Sequence, residues 1–505
     1  MITNFYERQL VILTALCLLS LALERFISKP RQLPKQSPEE RLENGTDPRG
    51  VNSLAKLTQQ YLVVYALVMG ADWLQGPYVY SLYREQYGFP ERYVAILFVT
   101  GFLSAAVSGP LVGVWADQHG RKRICQAFCI TYALTCACLQ FPSLPILLLG
   151  RILGGISTSI LFSAFESWLV SASTNAGLSS SDLSLIFGRA TLVNGFVAAG
   201  AGIASNKLVA STGTFTSPFI ASGILLVLSY FVIKNSWSEN FGTTDKNASA
   251  DPFQTKRLKQ AWRIVRQDPL LLVLGLTQTC FEGSMYLFVF LWVPFLQEAS
   301  GSSQLPLGYI FSSFMVSMML GSVLYTFITQ TLPSVFSSSN SSKTHPSNNG
   351  QASNGTGATI SSLETTDSAN TQSLTLHAKL SSCVCALSAL SLAASISVRS
   401  AESEQWRFWA FCGFEACVGM YYPVQGMLRG SLISNEHRAT LSALFRVPLN
   451  IFVVVSLLTG VSSARYAVLT ASTIMLSFSA VMTGLVIVDR VDGKGDVRRK
   501  RPLTH

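Results

Sequence analysis

Apolar residues in this chain are gathered into blocks of about 20, and that spacing constrains its folding more than any other feature. A helix rises about 1.5 Å per residue, so roughly 20 apolar residues cross the hydrocarbon layer of a bilayer. Such blocks lie near 9–27, 61–83, 93–116, 124–141, 144–170, 187–207, 216–235, 270–297, 307–330, 377–398, 406–428, 440–460 and 465–488. Only 13% of the 505 residues are charged and 49% are hydrophobic; an average soluble chain carries about twice that share of charge. The chain reads as an all-α, multi-pass membrane protein embedded in a lipid bilayer. A secreted scaffold, a fibre and a nucleic-acid binder are excluded, despite a net charge of +10.

The first block stands apart, the next six form one group and the last six another. This predicts an N-terminal anchor helix with a cytoplasmic linker (1–60), a six-helix bundle (61–235), a basic connector (236–269), a second six-helix bundle (270–488) and a basic tail (489–505). Most of the 37 Lys and Arg fall in one alternating set of loops. By the positive-inside rule those loops and the C-terminus are cytoplasmic. Block 9–27 lacks a basic n-region and a small-residue cleavage site, which favours a retained anchor over a signal peptide. The stretch 331–376 is rich in Ser, Asn and Thr and is expected to be disordered. The ten cysteines lie in or beside apolar blocks without a C-x-x-C pair. They read as small buried groups, with no metal site and no disulfide framework.

Between two blocks stands Gly113-Val-Trp-Ala-Asp117-Gln-His-Gly120-Arg121-Lys122-Arg123. Here one helix ends, the chain turns at Gly120, and a basic cluster opens the next helix. Gly113 would allow close helix packing, and Asp117 could accept hydrogen bonds from an Arg or a helix N-terminus. A plain basic turn would carry much of the same pattern.

This loop resembles the signature loop of the major facilitator superfamily, and Leu149-Gly-Arg151-Ile-Leu-Gly154-Gly155 is similar to that superfamily's arginine-bearing motif. Asp72-Trp73-Leu-Gln-Gly-Pro77-Tyr78, Phe162-Ser-Ala-Phe165-Glu166-Ser-Trp168, Ile310-Phe-Ser-Ser-Phe314-Met315 and Phe445-Arg446-Val-Pro448 resemble the molybdate-anion transporter family. The resemblance spans about 61–488. It implies the major facilitator fold, two rocking six-helix halves, and import of molybdate or a similar oxyanion by a monomer without a cofactor.

Charges inside hydrocarbon are costly and usually face a cavity or a partner. Here they are Asp72, Arg151, Glu166, Arg189, Glu282, Glu415 and Arg446. Asp72 and Glu282 fall at matching depths in the first helix of each half. Phe187-Gly-Arg189 matches Phe445-Arg446 in the fifth helices. Aligning Gly154-Gly155 with Cys417-Val418 puts Arg151 within a residue of Glu415. Guanidinium offers a donor fork for oxyanions, so Arg151 and Arg446 are the leading anion ligands, with Glu415, Asp72, Glu282 and Tyr78 as further site candidates. Asp72, Glu282 and Glu415 could carry a coupling proton; Asp72 and Glu282 could instead be held by neighbours such as Gln75, Tyr78 and Tyr286. Gly113, Asp117, Gly120, Arg121, Lys122, Glu166 and Arg189 read as gating or structural residues; Glu166, Arg189 and Arg446 could also form permanent ion pairs. Arg151 and Glu166, on one helix, would lie about 22 Å apart by rise.

Four acids against three bases would by themselves suit a cation or a proton-coupled neutral solute; the anion follows from the resemblance. A proton-coupled sugar or organic-solute carrier and a non-transporting scaffold or sensor stay open as alternatives. An enzyme is not indicated: no phosphate loop, H-E-x-x-H or G-x-S-x-G occurs. Uphill transport would therefore draw on an ion gradient.

Overall fold

The computed structural model describes residues 4–27, 48–241, 262–301, 304–341, 357–397, 403–433, 438–459 and 464–488. Among them every regular element is a helix, joined by short turns and loops. In order the helices are α1 (Phe5–Ile27), α2 (Pro48–Gln75), α3 (Glu91–His119), α4 (Arg121–Cys138), α5 (Leu144–Leu161), α6 (Ala164–Asn175) and α7 (Ser180–Thr212). They continue as α8 (Ser217–Ser236), α9 (Pro269–Ser300), α10 (Leu307–Ser341), α11 (Gly357–Ser397), α12 (Ser403–Leu432), α13 (Arg438–Thr459) and α14 (Arg465–Met482). Nine helical stretches among the described residues are long and apolar enough to cross a membrane. The other four blocks are helical too over 61–86, 124–138, 406–428 and 440–459, but shorter or more polar.

Local chemistry sets the boundaries. Proline opens α2 and α9, where its missing N–H costs nothing. Pro77 cannot continue α2, which passes into a 3₁₀ turn at Gly76–Tyr78 and a π turn at Leu82–Gln86. A capping box opens α7: Ser179 Oγ accepts from Asp182 N–H at 3.2 Å, and the Asp182 carboxylate accepts from Ser179 N–H at 3.1 Å. Gly120 adopts φ 100° between α3 and α4, a conformation that a side chain would strain.

Three expected boundaries change. The bundle does not begin at 61: α2 starts at Pro48, because Leu57, Thr58 and Tyr61 bury on one face. Block 144–170 is not one helix but two, broken at Phe162–Ser163, where Ser163 Oγ donates to Ser159 O at 2.6 Å and competes with the backbone ladder. The stretch 331–376 is helical to Ser341 and again from Gly357, while 342–356 lie outside the described residues. Once an apolar span has nucleated a helix, each added residue gains a hydrogen bond without a new nucleation cost.

The chain forms two compact units. One comprises Met1–Lys256, Leu287–Val316 and Asn450–Val468; the other comprises Arg257–Tyr286, Ser317–Leu449 and Leu469–His505. The first is built around Tyr61, Val64, Phe128, Phe165, Trp168 and Trp237. The second has its core at Leu270, Leu274, Val424, Leu428 and Phe445.

Backbones touch at several helix crossings, and one crossing in each unit bears on the buried charges. In the first, a Cβ on Gly155 of α5 would strike Gly101 and Ala105 of α3. In the second, a Cβ on Gly419 of α12 would strike Met318 and Ser322 of α10. Arg151 stands four residues before Gly155, and Glu415 stands four residues before Gly419. The two crossings thus make Arg151 and Glu415 equivalent, one residue tighter than the sequence alignment. Gly113, in contrast, has open space where close packing was expected. Gly155→Val and Gly419→Val should therefore lose folded, monodisperse protein on size-exclusion chromatography, while Gly113→Ala should not; normal yield of both valine variants would refute the crossings.

Candidate functional site

The loop between α3 and α4 is tied on all sides. Arg121 donates to Asp117 Oδ1 from Nε at 3.1 Å and from Nη2 at 2.8 Å, and to Ser167 O from Nη1 at 3.0 Å. Asp117 thus takes the arginine, and the N-terminus of α4 finds another acid. Glu239 Oε1 accepts from Lys122 N–H at 2.8 Å, in the space that a side chain at Gly120 would occupy. Lys122 Nζ reaches Trp237 O at 2.6 Å and Lys234 O at 2.9 Å. Trp237 stacks on Trp168 at 3.7 Å between ring centroids, and Trp168 Nε1 donates to Ser238 O at 2.9 Å. Asn240 closes the strap by donating to Trp168 O at 3.0 Å and accepting at its own carbonyl from Arg121 N–H at 2.9 Å. Residues 237–240 are therefore a built part of the first unit, where the sequence placed a connector.

Asp72 on α2 is held by Tyr132 of α4, whose hydroxyl donates to Oδ1 at 2.6 Å. The neighbours expected to hold it are engaged elsewhere. Gln75 donates to Ser222 Oγ at 2.9 Å, and Tyr78 donates to Asn206 Oδ1 at 2.9 Å. Both point to helices that pack on other faces of α2 and its extension. Trp73, beside Asp72, donates to Asn194 Oδ1 at 2.8 Å and lies 5.9 Å from Phe311.

Arg151 leans on α3. Its Nε donates to Leu97 O at 3.1 Å, and its guanidinium carbon lies 5.2 Å from the Phe98 ring centroid. Glu166 and Arg189 are exposed and have no hydrogen bond or ion pair among the described residues. The permanent ion pair considered for them is absent there. Glu166 instead borders a cleft of about 300 Å³ with Arg121, Phe162, Ser163, Ser167 and Val170.

In the second unit Glu282 is the buried acid with partners. Gln278 Nε2 donates to Oε2 at 3.2 Å, and the Tyr421 hydroxyl donates to Oε1 at 3.3 Å. Tyr421 is fixed by stacking on Phe281 at 3.8 Å. Glu415 is buried with no hydrogen bond or ion pair among the described residues. Arg446 is exposed on α13. Its predecessor Phe445 seats its ring on Gly275 of α9. Two arginines of α12 escaped the sequence reading: Arg407, which is buried, and Arg429, which the loop count absorbed. The resembling motifs serve packing, with Phe165, Trp168, Phe314 and Phe445 all buried.

A family model described as sugar transporters with 12 TM matches residues 40–336. A molybdate-anion transporter from Xenopus tropicalis is 30% identical over 398 residues, covering 78% of this chain and 76% of its own. The chain belongs to the major facilitator superfamily, in its molybdate-anion transporter family. A molybdate-anion transporter from Takifugu rubripes is 29% identical over 420 residues, with 79% and 78% covered. Among solved structures, a D-xylose–proton symporter superposes with TM-score 0.58 at 11% identity, covering 87% of this chain and 98% of its own. A variant of the nucleoside transporter NupG gives 0.57 at 11% identity, with 86% and 99% covered. These two share the major facilitator fold with this member of the family.

The strap yields a stability prediction. Losing a helix cap costs about 0.5–2 kcal/mol, whereas truncating a buried Trp costs about 3–5 kcal/mol. Glu239→Ala should lower the melting temperature of the purified protein modestly and Trp237→Ala much more. Equal, negligible shifts in a thermal unfolding assay would show that 237–240 is not part of the folded unit.

Proposed function

We propose that the protein is a secondary active transporter that imports molybdate across the plasma membrane by alternating access, as a monomer with its C-terminus in the cytosol. The observation that carries this reading is the extended similarity to molybdate-anion transporters, which covers more than three quarters of the chain. Spare guanidinium donors agree with it. Arg446 is exposed with no hydrogen bond or ion pair among the described residues, and Arg151 donates from Nε to Leu97 O with the Tyr83 hydroxyl beside its guanidinium. A tetrahedral dianion suits such donors, because each guanidinium offers N–H groups in a fixed fork.

The coupling ion is proposed to be the proton. Asp72 and Glu282 fall at matching positions in the first apolar block of each half, each accepts from a tyrosine hydroxyl, and Glu415 is a third buried carboxyl. A carboxyl that alternates between charged and neutral forms can carry a proton while the anion crosses. The description of the matched family, sugar transporters, favours a sugar carrier as the second reading.

Cells expressing the protein should accumulate molybdenum above a vector control, with tungstate competing and D-xylose not. Absence of accumulation would remove the molybdate reading, and competition by D-xylose would support the sugar carrier. Arg446→Ala should cut uptake about tenfold or more at unchanged surface expression, a loss of about 1.4 kcal/mol or more. Arg151→Ala should cut uptake as strongly and also destabilise the protein, since it removes a brace between α5 and α3. Normal uptake by both variants would place the anion site elsewhere.

A further inference from the structure

Two guanidinium groups in the second unit hold donors that take part in no hydrogen bond or ion pair among the described residues. Arg429 is half-buried near the end of α12 and donates only from Nε, to Gln425 O at 3.3 Å. Neither of its Nη atoms has a hydrogen bond or ion pair among the described residues, and neither has any nitrogen of Arg446. Half-burial strips part of the water from Arg429, so a group of opposite charge reaching its fork is favoured there.

The backbone places both arginines around one acid. Tyr421, Gln425 and Arg429 recur every four residues and so lie along one side of α12. The bond to Gln425 O keeps the Arg429 guanidinium on the Tyr421 side of its own Cα. Tyr421 in turn binds Glu282, whose other oxygen is bound by Gln278 one turn away on α9. From the third helix, the Phe445 ring sits on Gly275, two turns from Glu282 on the same α9. Arg446 follows directly in the chain. Both arginines act electrostatically on Glu282, Arg429 more strongly, yet neither comes within ion-pair distance of it.

We infer that Arg429 is a second substrate-binding guanidinium that shares the oxyanion with Arg446, and that Glu282 is the resident counter-charge holding both until the substrate arrives. This rests on the oxyanion reading proposed above. The charge balance shows why the acid matters. Two arginines and one carboxylate sum to +1, and a dianion takes the cluster to −1. Without the carboxylate charge the same cluster goes from +2 to 0, so the anion is held more tightly. Glu282 therefore trades affinity for release, which a carrier needs and a storage site does not. Tyr421 and Gln278 fix the carboxylate so that it lies near the two forks without closing onto either.

The test is equilibrium binding of molybdate to the purified full-length protein in lipid nanodiscs. Arg429→Gln should weaken binding about tenfold or more, and Arg429→Lys, which keeps the charge and loses the fork, should recover part of it. Glu282→Gln should tighten binding severalfold while slowing uptake in cells. A gain of affinity cannot come from misfolding, so this variant decides the matter if Arg429→Gln proves unstable. If the unsubstituted protein binds molybdate and Arg429→Gln binds it equally well, or Glu282→Gln weakens it, the inference falls and the molybdate reading stands. If the unsubstituted protein binds no molybdate, both fall together.

Discussion

The cost of placing charge in hydrocarbon, about 2.5–3.5 kcal/mol for an Arg or Asp at a helix centre even on insertion scales, governs how this chain is arranged. The charges in its spans meet that cost differently, and Glu415 is buried with no hydrogen bond or ion pair among the described residues. Asp72 takes a tyrosine hydroxyl from α4. Arg151 takes a carbonyl and an aromatic face from α3. Glu282 takes an amide and a tyrosine. Glu166, Arg189 and Arg446 instead keep exposed positions. Compensation by neutral dipoles leaves the charges themselves available to a solute, which paired charges would not.

Helix crossings supply the rigidity this arrangement needs. Gly155 and Gly419 let backbones meet in each unit, so Arg151 and Glu415, four residues earlier, are held by equivalent architecture with opposite sign. Without a hydrophobic driving force between helices in lipid, such close small-residue contacts are a principal source of association. At the basic end of the first unit the work is done by the strap 237–240, whose Glu239 caps α4 and whose Trp237 covers Trp168. The signature loop is therefore held by residues that follow α8 as well as by its own Asp117–Arg121 pair.

Much of the fold was legible in the sequence because the bilayer imposes length and hydropathy on every crossing segment. The apolar blocks became helices, and Gly120 became the turn. The site was less legible. Gln75 and Tyr78 stood one or two turns from Asp72 and looked like its partners, but adjacency on one helix does not say which neighbour packs on that face; Ser222 and Asn206 claimed them. Arg429 was counted with a loop because its apolar block ends one residue earlier, and only the bond to Gln425 O shows it folded back along α12. Ser163 gave no sign that it would end α5, since serine is common within membrane helices. The strap was hidden by its place in a basic connector, though two polar residues beside an isolated Trp237 were the available signal.

The central claim is that a tetrahedral dianion is held by spare guanidinium forks beside a resident carboxylate in the second unit. A structure with tungstate bound tests it most directly, because the electron-rich metal stands out as strong density. Density within hydrogen-bonding reach of both Arg429 and Arg446, next to Glu282, is the expected result. Density on Arg151 alone, or none in the second unit at saturating tungstate, would contradict it.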